Sequence, residues 1–91
     1  MSNNVYIKNF DAKWNEGKIH EIFGKFGLVK SIFIKEDPAN PERKFAFVCF
    51  EDPVSRDAGF LSAERAVQEL NDKEIDGCKL YVQPALTAVQ R

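Results

Sequence analysis

Two stretches of this chain carry the same one-sided apolar stripe, and that pair limits the fold more than any other feature. Ile19, Ile22, Phe23 and Phe26 stand at i, i+3, i+4 and i+7, and Ala63, Ala66, Val67 and Leu70 repeat the spacing. Each stripe marks a helix with a single buried face. The first helix is expected over residues 15–26, with Asn15 as N-cap and Gly27 as its stop. The second is introduced by Asp52-Pro53, a cap residue followed by proline at the first helical position. A helix extended toward Pro53 and an exposed loop are both open for residues 54–60, since Gly59 disfavours a helix by roughly 1 kcal/mol relative to alanine.

Around these stripes the apolar period changes from helical to two, the signature of half-buried strands. In residues 5–10, Val5 and Ile7 share one face while Tyr6 and Lys8 take the other. In 29–35, Ile32 and Ile34 oppose Phe33. In 43–50, Ala46, Val48 and Phe50 oppose Phe45, Phe47 and Cys49. In 80–83, Leu80 and Val82 oppose Tyr81 and Gln83. Asp37-Pro38-Ala39-Asn40-Pro41 reads as a loop and Asp76-Gly77 as a turn. The order is βαββαβ. Two helices with one stripe each cover only one face of four strands. The expected fold is therefore an α+β, ferredoxin-like sandwich: a four-stranded antiparallel sheet with both helices on one side and the other side open. The 91 residues suffice for one domain, with a core over 5–85 and a tail over 86–91.

The open face then carries Tyr6, Phe33, Phe45, Phe47 and Tyr81, where an exposed sheet normally alternates polar residues outward. An apolar patch of that kind marks a binding surface. Lys8 and Lys35 share the face, and Arg43 and Lys44 open the third strand. Rings interleaved with cations suit unstacked nucleobases, which offer a π-face to the ring and a phosphate to the cation. The net charge of −1 is unusual for such a surface. Residues 1–50 hold eight Lys/Arg against six Asp/Glu, and residues 51–91 hold five against eight, so the first half supplies the cations.

Val5-Tyr6-Ile7-Lys8-Asn9-Phe10 resembles the six-residue ribonucleoprotein motif of the RNA-recognition-motif family. Arg43-Lys44-Phe45-Ala46-Phe47-Val48-Cys49-Phe50 resembles its eight-residue partner. Together with Phe-Gly-Lys-Phe-Gly at 23–27, the first motif is similar to the third and fourth such domains of cytoplasmic poly(A)-binding proteins. The resemblance implies single-stranded, adenine-rich RNA as ligand. It implies Tyr6 and Phe45 as base-stacking rings, Phe47 against sugar or base, Arg43 on phosphate, and Lys8 with Asn9 at a base edge or the backbone. Phe33, Lys35, Tyr81 and Gln83 extend the expected contact surface. The resemblance also implies a cytoplasmic location, with a nuclear one as the alternative, and a larger protein with several such domains.

Three departures stand out. Lys44 replaces the family's usual second glycine, which implies an altered RNA path or an added cation. Leu86 and Thr87 replace polar and basic residues that help hold adenines. The segment 53–63 is about seven residues longer than the family pattern, and a two-turn helical extension would place Phe60 on the buried stripe with a phase drift of only ~20°.

Other chemistry has little foothold. His20 stands at a polar helical position with no second metal ligand at suitable spacing. Cys49 and Cys78 form no CxxC pair, and Cys49 has no base near it in sequence. No catalytic residue, cofactor or metal site is expected, so the chain does not read as an enzyme. No apolar run approaches a membrane span, and Met1-Ser2-Asn3-Asn4 does not begin a secretory signal. Trp14 is placed as an apolar staple over the first helix start, with partner binding as its alternative. The rival function is a protein-interaction module on the same fold, docking through its helices and binding RNA weakly or not at all.

Overall fold

The computed structural model describes residues 3–51 and 56–85, without the side chains of residues 41, 42 and 56–60. Eight elements follow in order: β1 (Asn4–Lys8), α1 (Glu16–Phe23), β2 (Leu28–Asp37), β3 (Asn40–Glu51), α2 (Arg56–Leu70), β4 (Glu74–Ile75), β5 (Cys78–Lys79) and β6 (Tyr81–Pro84). The main sheet runs β2-β3-β1-β6, and each pairing in it is antiparallel. Both helices pack on one face, as the two stripes require. Val5, Ile7, Ala46, Val48, Phe50 and Val82 point from the strands into the core. Ile19 and Phe23 meet them from α1, and Ala63, Ala66 and Leu70 from α2.

The cap of α1 forms as expected: the Asn15 side chain accepts from the Lys18 N–H at 2.9 Å. The other end differs. The helix stops at Phe23, and the Gly24 N–H closes the last turn on the His20 carbonyl at 2.7 Å. Phe26 therefore lies beyond the helix, yet it still packs half-buried against the core. Gly27 is not the stop. A Cβ there would collide with the Ser62 side chain, so glycine is what lets the entry to β2 lie directly on α2.

The expected loop over 37–41 is instead a two-residue turn, Pro38-Ala39, with Asp37 and Asn40 paired across it. Asp37 Oδ1 accepts from the Ala39 N–H at 2.9 Å, a local side-chain bond that stabilises the tight reversal. Pro41 is accommodated because the register slips here. Glu36 pairs with Lys44 and Asp37 with Asn40, so residues 41–43 bulge from β3. A second irregularity, between Val29 and Ser31, breaks the pairing at the start of β2.

Asp76-Gly77 is the expected turn, with φ of 53° and 80° at its two residues. Both lie in the left-handed region, as a tight two-residue hairpin of this kind demands. Flanking it are β4 and β5, two short strands too brief for a period to reveal. Residues 56–60 are helical, which settles that part of the extension in favour of helix. Residues 54 and 55, the Asp52-Pro53 cap, the Phe60 side chain, Leu86 and Thr87 lie outside what is described.

Trp14 is buried, at 5% exposure, with its ring stacked on Phe10 at 5.8 Å. Its indole N–H donates to Asp76 Oδ2 at 2.9 Å. The tryptophan thus ties the start of α1 to the β4–β5 turn, a role beyond a local staple, and its burial leaves little surface for a partner.

Candidate nucleic-acid interface

Strand register turns the open face into a grid. One row, read across β6, β1, β3 and β2, is Tyr81, Lys8, Phe45, Lys35. The next is Gln83, Tyr6, Phe47, Phe33. A third holds Asn4, Cys49 and Ser31. The first row alternates ring and cation, and the second places three rings side by side.

The central rings form a tight group. Tyr6 lies 5.9 Å from Phe45 and 5.4 Å from Phe47, and Phe45 meets Phe47 edge to face at 6.0 Å. Tyr81 adds an edge contact to Tyr6 at 6.1 Å. Tyr6, Phe45 and Phe47 are only half-buried, whereas Tyr81 is 38% exposed and Phe33 58% exposed. Lys8 Nζ sits 4.6 Å above the Tyr81 ring, a cation–π contact that holds the lysine over the face. The Tyr6 phenol is pushed above its ordinary value, first by burial and then by nearby Tyr81 and Asp37. It is therefore neutral and a hydrogen-bond donor throughout the physiological range.

At one end of the sheet the face deepens into a concavity of about 530 Å³. Tyr6 and Phe45 form its aromatic wall; Asn9, Asp37, Arg43 and Lys79 contribute polar groups. Asn9 enters it because β1 ends there with a φ of 65°, a left-handed turn that asparagine tolerates. Lys79 is presented by the β4–β5 hairpin, which Trp14 and Asp76 anchor.

Of the expected contact residues, Tyr6, Lys8, Phe33, Lys35, Phe45, Phe47, Tyr81 and Gln83 occupy the two main rows, and Asn9 and Arg43 lie at the concave end. Lys44 is the exception to the sequence-based picture. Its Nζ donates to the Ala12 carbonyl at 3.1 Å, so its charge fastens β3 to the β1–α1 connection. Asp37 and Lys79 were not expected. Asp37 was hidden in an apparent loop, and Lys79 depends on a hairpin too short to read. Among the described residues no cluster of His, Cys, Asp and Glu is placed to hold a metal ion. No helix among them is long and apolar enough to cross a membrane.

A sheet covered by two helices on one side and carrying an aromatic platform on the other defines an α+β binding domain of the βαββαβ class. The model of the RNA recognition motif matches residues 5–81, and the chain belongs to that family. It is 39% identical over 88 residues to the polyadenylate-binding protein, cytoplasmic and nuclear, of Eremothecium gossypii. That match covers 97% of this chain but only 14% of the relative. Among solved structures, the third such domain of Pes4 superposes with a TM-score of 0.76 at 25% identity, covering 93% of each chain. RNA binding protein PG1 does so with a TM-score of 0.71 at 31% identity, covering 92% of this chain and 94% of the other. The Rna15 domain with bound GU RNA shares the fold, with a TM-score of 0.74 at 22% identity over 97% of this chain and 87% of that one.

Proposed function

We propose that this domain binds single-stranded, adenine-rich RNA on its open sheet, with bases stacked on Tyr6 and Phe45 and with Phe47 against sugar or base. The observation that carries this is the group of three half-buried rings, 5.4–6.0 Å apart, on a face that the helices leave uncovered. Rings in a core would be covered, and rings exposed without purpose would make the face sticky. Membership of the RNA recognition motif family and the likeness to a polyadenylate-binding protein support the same reading. Arg43 takes a phosphate, Lys8 and Asn9 reach a base edge or the backbone, and Phe33, Lys35, Tyr81 and Gln83 extend the track.

Stacking supplies most of the affinity, at about 1–3 kcal/mol per base. With a net charge of −1, few phosphates are neutralised, and the dependence on salt is shallow. The domain acts as one unit of a longer, multi-domain protein that gains affinity by linkage, working in the cytoplasm and, as for the relative's name, also in the nucleus.

The test is fluorescence anisotropy with labelled oligoadenylate across a salt series, comparing wild type with the Tyr6→Ala/Phe45→Ala double variant. The variant loses at least about tenfold in affinity, with circular dichroism unchanged. A folded double variant that binds as tightly as wild type refutes the sheet-face assignment.

A further inference from the structure

The concave end of the platform contains an anion among its cations. Asp37 lies there with Phe45, Tyr6 and Arg43 as neighbours in the same space. A carboxylate at a surface meant for polyanionic RNA is a liability unless it meets a donor. Its two oxygens have different duties. Oδ1 accepts from the Ala39 N–H and holds the β2–β3 turn. Oδ2 has no hydrogen bond or ion pair among the described residues, and Arg43, although close by, is not paired with it. The carboxylate is held in place by its own turn, where Asp37 pairs with Asn40 and residues 41–43 bulge from β3. Asp37 lies two residues along β2 from Lys35 and lines the same concavity as Tyr6 and Phe45, and its charge adds, after burial and Tyr81, to the upward push on the Tyr6 phenol.

We infer that Asp37 is a specificity-determining residue, whose free oxygen accepts from the exocyclic amine of the base stacked on Phe45, so that this position selects adenine or cytosine against uracil. An ionised carboxylate is acceptor-only. Adenine N6 and cytosine N4 are donors, whereas uracil offers carbonyl oxygens at the corresponding edge, which the carboxylate repels. This rests on the proposed RNA-binding function and assigns the base selection of the same site to one residue.

The experiment exploits the two duties of the side chain. Asp37→Asn retains an oxygen for the Ala39 N–H and substitutes an amide donor for the free carboxylate oxygen. Binding of wild type and variant to oligoadenylate, oligocytidylate and oligouridylate is measured by anisotropy at one salt concentration. Wild type is expected to prefer oligoadenylate or oligocytidylate over oligouridylate by about tenfold. In Asp37→Asn that preference collapses or reverses, while the thermal midpoint stays within a few degrees of wild type. Removal of a negative charge alone would strengthen all three ligands equally and leave the ratios intact, and that outcome overturns the inference. Wild type that binds all three ligands without preference also overturns it but leaves the sheet-face function standing. Wild type that binds none overturns both.

Discussion

Replacing Asp76 by alanine isolates the tie that holds the β4–β5 hairpin, and with it one wall of the concave end of the platform. Three losses follow from the geometry. The Trp14 indole N–H, on a residue only 5% exposed, loses its acceptor at 2.9 Å. A buried donor left without a partner costs about 1–3 kcal/mol. Alanine must also adopt the left-handed φ of 53°, at a cost of about 1 kcal/mol. The Lys18–Asp76 ion pair, at 3.8 Å with side chains 37% and 49% exposed, adds about 0.5 kcal/mol or less. The sum is about 3 kcal/mol, or a fall in Tm of roughly 12–24 °C for a domain of this size. Asp76→Asn keeps an acceptor for the indole and tolerates the left-handed backbone, so it loses only the ion pair. Trp14→Phe removes the donor, and in that background Asp76→Ala costs about 1–1.5 kcal/mol, the turn and ion-pair contributions without the indole bond. Thermal unfolding by circular dichroism on the four variants measures the cycle. Equal losses for Asp76→Ala in both backgrounds would refute the claim that the indole bond is the larger part.

Gly27→Ala forces a Cβ into the Ser62 side chain and separates the start of β2 from α2; urea unfolding should show a loss of about 1–3 kcal/mol, the usual cost of overpacking. Tyr6 should ionise above its ordinary value of 10.0, read by ultraviolet difference absorbance against the unfolded chain. Because the folded state holds that proton more tightly than the unfolded state, its contribution is fully present below the unfolded value and is lost as pH rises through the folded one; a transition at or below the unfolded value would contradict the burial of the phenol.

The order βαββαβ and the faces of the strands were legible in the sequence because both depend on local period. Tyr6, Phe45 and Phe47 followed from alternation alone, and the Asn15 cap from residue type. What escaped was set by distant partners or by geometry finer than a period. Asp37-Pro38-Ala39-Asn40-Pro41 carries every mark of a loop, yet the Asp37 side chain closes a two-residue turn and a bulge absorbs the proline. Trp14 signals a helix start locally, but its hydrogen-bond partner lies 62 residues away. Lys44 looked like a cation for the ligand; only the approach of the Ala12 carbonyl shows where its charge goes.

The spacing of the three central rings has a mechanical consequence. Neighbouring bases along a helical strand lie about 3.4 Å apart, whereas Tyr6, Phe45 and Phe47 are separated by 5.4–6.0 Å. Two successive bases cannot keep their mutual stack and also occupy two of these rings. On the proposed function, a bound strand is stretched to the pitch of the protein, and the work of pulling its bases apart is subtracted from the affinity. The platform thereby measures how readily a ligand can be extended, independently of what its base edges display.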